Sequence, residues 1–219
     1  MTALRAAVTL GVVVDVLASL HEALARRWGV PPGPAPLPDN LADAALEPLS
    51  ARILAGYAEL DRDDLRRDPV HLASWDALRD SVAEVFAVAR GLVDIRFVPF
   101  ESYTSPADIV ADLQRGRLEI STLHCVHPVW SVEENCQFRV AHDLIAHVYA
   151  ARPFTLLGEY QAFHDHLRVT PTAAWQALFT EVCVYASMRY HGTGYPEVQR
   201  AVAFPGLFAA YQAEFMAAA

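Results

Sequence analysis

Wound as a helix, residues 173–188, AAWQALFTEVCVYASM, are apolar nearly all the way round. A helix without a polar face must be buried on every side. Covering it takes several other helices, so the chain reads as mainly α, a helical bundle. A chain of 219 residues is long enough to enclose such a core. Residues 1–219 are expected to form a single domain, with a helical scaffold over 1–92 and a site-bearing part over 93–219. One residue interrupts the apolar stretch. Glu181 is its only carboxylate, and burying an unpaired charge is costly, so Glu181 must be paired, protonated or bound to a metal.

Spacing and cap residues place the other elements. Residues 3–28 form the first expected helix, with Arg26 and Arg27 near its C-terminal end, where the helix dipole favours cations. PPGPAPLPDN follows, with five prolines between Pro31 and Pro38, a stiff connector that wraps the same domain. Helices are expected over residues 39–60 and 74–92. In the second, Trp75, Leu78, Val82, Val85 and Phe86 recur at helical spacing. DIRFVPF, residues 94–100, alternates like a strand with Ile95, Phe97 and Val98 inward. Ser105 caps a short helix with Pro106 at its first position, Gly116 ends it, and residues 117–125 read as a second strand. A small two-stranded strand–helix–strand insertion thus separates two helical halves. Ser131 and Glu134 form a capping box for a helix over 131–151. A shorter helix is expected over 158–167, and another from Thr170-Pro171 to Tyr190, broken by HGTGYP.

Charge and cysteine content narrow the partners. Lys and Arg number 17 against 26 Asp and Glu, a net charge of −9 without any basic run. Such a surface repels phosphate backbones, so a nucleic-acid partner is not expected. A small-molecule substrate is, with a homo-oligomer left open. Cys125, Cys136 and Cys183 lack CxxC spacing, which fits a reducing compartment and neither a disulfide framework nor a thiolate zinc site. The N-terminal segment has Arg5, an apolar run and Ala-Leu-Ala before two arginines, as an export signal would. Asp15 interrupts that run and an amphipathic pattern continues it, so the segment reads as part of the first helix. The uncharged stretch is too short to span a bilayer. A cytoplasmic protein without membrane contact is expected.

Seven of the nine histidines lie between His124 and His191. In FRVAHDLIAH, taking His142 as zero at about 100° per residue, Arg139 lies near about 60°, Asp143 about 100° and His147 about 140°. Ala146 and Ala150 leave room between these side chains, and Val140, Leu144, Ile145 and Val148 form the opposite, apolar face. Imidazoles beside a carboxylate make a metal site, and Glu181 is the expected third ligand facing them. In GEYQAFHDH, Glu159, Phe163 and His166 share a face. Glu159 and His166 would complete the site directly or by orienting a ligand imidazole, while His164 points to the surface. His127 lies near the far end of the helix and reads as structural.

His142-Asp143-Leu144-Ile145-Ala146-His147, followed by Phe179-Thr180-Glu181, resembles the iron site of the pterin-dependent aromatic amino acid hydroxylases. That family carries His-[Asp/Glu]-x-x-Gly-His and then Phe-Thr-x-Glu. Ala146 replaces the family's Gly, Val148-Tyr149 its Val-Pro, the second motif is one residue shorter, and no pterin segment is recognisable. The resemblance implies iron(II) held by His142, His147 and Glu181 with positions open for dioxygen; another divalent metal is the alternative. Asp143 would then orient an imidazole or accept a proton, and Arg139 would meet a substrate carboxylate. More broadly, residues 101–205 resemble a bacterial metal-site domain, which implies no particular activity. His142-Asp143 also resembles the metal-binding pair of HD-type phosphohydrolases, with His124 or His127 upstream, Asp165 as a distal ligand and Arg139 for phosphate. The expected function is therefore a non-haem iron oxygenase acting on a small organic molecule. An HD-type metal-dependent phosphohydrolase and a non-catalytic helical binding or regulatory domain stand as alternatives.

Overall fold

The computed structural model describes residues 34–59, 69–192, 194–196, 199–201 and 204–216, with scattered positions between 16 and 29. The expected first helix over 3–28 therefore falls largely outside the described residues. Helix α1 runs Asp43–Glu59 and buries Leu46, Leu49, Ile53 and Tyr57 at helical spacing. Helix α2, Pro69–Arg90, buries Trp75, Leu78, Val82, Val85 and Ala89. It starts earlier than its apolar pattern does.

Strand β1 (Asp94–Val98), helix α3 (Pro106–Leu113) and strand β2 (Arg117–Ser121) form the small insertion. The two strands pair in parallel, Asp94 opposite Arg117 and Val98 opposite Ser121. Pro106 takes the first turn of α3, and Asp108 accepts the Thr104 and Ser105 backbone N–H groups at 2.9 and 2.8 Å, which anchors the helix start. β2 buries Leu118 and Ile120. Phe97 does not turn inward as its alternation suggests. It leans on Phe86, ring centroids 6.4 Å apart, and stays 39% exposed, because a two-stranded sheet covers little of either face.

Helix α4 (Val132–His142) continues into a π-helical segment, Asp143–Tyr149. Helix α5 is Leu156–Leu167. A single 3-10 turn, Thr172–Ala174, opens the most buried element: α6 (Trp175–Phe179), a second π-helical segment (Thr180–Val184) and α7 (Tyr185–His191). Helix α8, Pro205–Phe215, closes the described chain. The α6–α7 rod touches α1, α2, α5 and α8, the wrapping that its all-round apolar sequence demands. Ala177, Leu178, Phe179, Cys183 and Val184 are fully enclosed, and the fold is mainly α around them. Among the described residues no helix is long and apolar enough to cross a membrane.

Candidate metal centre

Helix α4 starts where Ser131 and Glu134 exchange bonds, Ser131 N–H to Glu134 Oε2 at 2.7 Å and Glu134 N–H to Ser131 Oγ at 3.2 Å. The helix changes pitch at Asp143. Ala150 N–H bonds the Ile145 carbonyl at 3.1 Å, and Arg152 N–H reaches back to the Ala146 carbonyl at 2.9 Å. An i→i+5 turn holds one more residue than an α-turn, so residues five apart come to lie on one side. His142 and His147 are such a pair. Their Nε2 atoms stand 3.0 Å apart, whereas a regular α-helix would splay them by about 140°.

Glu159 comes from the first turn of α5. Its Oε2 lies 3.1 Å from His142 Nε2 and its Oε1 3.8 Å from His147 Nε2. Thr155 caps α5 by accepting the Gly158 N–H at 3.0 Å. A Cβ on Gly158 would stand 2.0 Å from the Pro153 carbonyl oxygen, so only glycine lets α5 close on the chain before it. Among the described residues, His142, His147 and Glu159 are the one group of metal-ligating side chains whose donor atoms all lie within 4.8 Å of one another.

A surrounding shell orients the imidazoles. His147 Nδ1–H donates to the Arg152 carbonyl at 2.7 Å, which leaves the Nε2 lone pair facing Glu159 and His142. Ala151, at φ 54, reverses the chain so that this carbonyl turns back. The Arg152 guanidinium grips Asp165 at 2.6 and 3.1 Å, and Asp165 also accepts the Ala35 N–H at 2.6 Å. The proline-rich connector thus buttresses the end of the site helix. His142 Nδ1 meets His166 Nε2 at 3.2 Å, their rings stacked at 5.3 Å and 7°. The buried His166 Nδ1 has no hydrogen-bond partner among the described residues.

The electrostatics follow from burial and from this pairing. Burial works against a proton on His142, but the Glu159 hydrogen bond and charge outweigh it and raise its pKa. Glu159 moves the opposite way, its own burial outweighed by the bond to His142. Burial, then the neighbouring His142, lowers His147 to about 4, and burial keeps His166 well below its ordinary value. Asp143 is pushed up to about 6, chiefly by removal from water. A proton on His142 is shared with Glu159 where a divalent cation would bind, and two neutral imidazoles with an ionised carboxylate are what such a cation requires.

The other nominated residues divide. Asp143 and Arg139 line a cavity of about 140 Å³ together with His142, His147 and Glu159. Asp143 is not part of the three-ligand group. Arg139 is committed to backbone, donating to the Ser121 and His124 carbonyls at 3.0 and 3.3 Å, so it braces the loop after β2. Glu181 lines the same cavity but also lies outside the group. Its Oε1 accepts the Trp75 indole N–H and His127 Nε2–H, each at 3.2 Å. Asp165 is the partner of Arg152 and Ala35. His164, expected at the surface, is buried and meets the Tyr211 hydroxyl at 2.8 Å, because α8 packs over that face of α5. Arg189, on α7 just before the helix-breaking HGTGYP segment, and Tyr195, within that segment, also line the cavity; sequence reasoning did not single out Tyr195. Nor did it find the Arg152 carbonyl, a backbone group that no side-chain pattern reveals. Phe138 and Phe154 flank the two imidazoles, with ring centroids 6.0 Å from His142 and 4.4 Å from His147. No protein-family model matches the chain, and comparisons with curated proteins and with solved structures likewise return no match.

Proposed function

We propose that this protein is a metal-dependent enzyme, a non-haem iron oxygenase acting on a small organic molecule in the cavity beside His142, His147 and Glu159. The observation that carries the reading is the spacing of the donor atoms. Two ligands about 2.1 Å from a metal and at a right angle are about 3.0 Å apart, against about 3.4 Å in a tetrahedron. The separations of 3.0 Å between the imidazoles and 3.1 Å from His142 to Glu159 match two edges of an octahedral face, the third, from His147 to Glu159, being longer at 3.8 Å. Two histidines with one carboxylate are the donor set of iron(II) oxygenases.

The Arg152 carbonyl and His166 hold the ligand imidazoles in orientation. Phe138 and Phe154 keep water from the protein side of the site, and Asp143 stands beside His142 to accept a proton from bound substrate. Iron(II), when bound, supplies the electrons that let dioxygen react with a closed-shell organic molecule. A cavity of about 140 Å³ has room for a small substrate. The reaction that balances without a further electron donor is a dioxygenation, in which both atoms of O2 enter the substrate.

The test is metal analysis of protein purified without chelator, followed by anaerobic iron(II) loading and exposure to nitric oxide as a dioxygen surrogate. One equivalent of iron, and a high-spin iron–nitrosyl signal by electron paramagnetic resonance that His147→Ala abolishes, is the expected result. Tightly held zinc without iron uptake would replace the oxygenase with a metal-dependent hydrolase, since two histidines and a glutamate also serve zinc hydrolases. Uptake of no metal at all would leave the non-catalytic reading.

A further inference from the structure

We propose that the cavity selects a small ammonium-bearing molecule and that Glu181 holds the ammonium. The inference rests on the cavity being the substrate pocket of the centre described above, and it names what that pocket takes.

Glu181 is 7% exposed, so its carboxylate needs compensation. What the fold supplies is neutral. One partner is the Trp75 indole N–H. The other is His127, whose Nδ1 accepts the Val129 and Trp130 backbone N–H groups at 3.2 and 3.0 Å. A ring nitrogen that accepts carries no proton, so the His127 proton sits on Nε2 and the ring is uncharged. Both donors converge on Oε1. The second oxygen, Oε2, has no hydrogen-bond partner among the described residues, and the side chain borders the cavity. A carboxylate whose side chain is only 1% exposed, with two neutral donors on one oxygen and the other oxygen unpaired beside a ligand-sized space, is suited to receive a cation.

The remaining wall agrees. Glu101, Glu119 and Asp143 line the cavity along with Glu159 and Glu181. Against them stand Arg139, spent on backbone carbonyls, and Arg189, which donates to the Tyr195 hydroxyl at 3.2 Å and lies over the Tyr190 and Tyr195 rings. Even with a divalent ion on His142, His147 and Glu159, acids outnumber bases, which disfavours an anionic ligand. The space here, about 140 Å³, has room for a small amine.

The test uses n-butylammonium, 1-butanol and butyrate as probes of matched length on the full chain, with and without added metal. The Trp75 indole N–H resonance in nitrogen-15 NMR, identified by its loss in Trp75→Phe, reports on Glu181 directly. Butylammonium is expected to shift it saturably and to bind about tenfold or more tightly than butanol, as a charge-assisted hydrogen bond requires, with butyrate weakest. Glu181→Gln is expected to remove that preference while leaving metal uptake intact. Equal binding of the three probes, or a preference for butyrate, overturns the proposal using the wild-type protein alone, whether or not the variant folds. Ammonium selectivity without metal uptake would instead sink the metal reading and leave Glu181 as the cation site.

Discussion

The Nε2 atoms of His142 and His147 stand 3.0 Å apart because the helix widens into a π-turn between them. With Glu159 3.1 Å from His142 and 3.8 Å from His147, the three side chains gather their donor atoms at one point. A ligand that binds only the folded chain stabilises it by mass action. Free divalent metal at a hundredfold over Kd is expected to add about 2.7 kcal/mol. The check is thermal unfolding with and without metal; the rise in Tm should be absent in His147→Ala.

Asp165 ties three segments together: the connector at Ala35, the helix end at Arg152 and its own helix α5. The ion pair is nearly dry, with side-chain exposures of 11% and 3%. Removing one member of a buried pair strands the other, so Asp165→Ala is expected to cost about 3–5 kcal/mol. Denaturant titration measures the loss. Metal affinity should fall as well, because Arg152 carries the carbonyl that orients His147.

Gly158 is the point where α5 meets the Pro153 carbonyl. Gly158→Ala forces the two apart and carries Glu159 with it. A loss of about 1–3 kcal/mol is expected, the cost of overpacking, together with weaker metal binding. A variant as stable as the wild type would mean that the approach of α5 is not constrained there.

His164 gives a pH dependence of known sign. Burial lowers it to about 4 from an ordinary 6.5, so between those values the unfolded chain binds a proton that the folded chain refuses. Stability is therefore complete above pH 6.5 and falls on acidification towards pH 4, by up to about 3 kcal/mol from this group. His164→Gln, which can still bond Tyr211, is expected to flatten the slope of unfolding free energy against pH in that window.

Local rules made much of this legible. The Ser131–Glu134 exchange and Pro106 at the start of α3 follow from cap chemistry, and the all-round apolar run of 173–188 became the enclosed α6–α7 rod. The π-register was not legible. Projection at the α-helical angle spread His142 and His147 over a wide arc, and nothing in the residue types announces an extra residue in the turn. Glu181 drew attention as the one acid in an apolar helix, yet its partners, Trp75 and His127, lie 106 and 54 residues away. Glu159 shared a face with His166, which placed it near the site but left its contact with the imidazoles to tertiary packing.

The most direct test sets Glu159 against Glu181 as the third ligand, through anaerobic calorimetric titration of iron(II) into wild type, Glu159→Gln and Glu181→Gln. One equivalent is expected for wild type and for Glu181→Gln with similar affinity, and a loss of about a hundredfold or more for Glu159→Gln. Metal binding that survives Glu159→Gln but is abolished by Glu181→Gln would contradict the account.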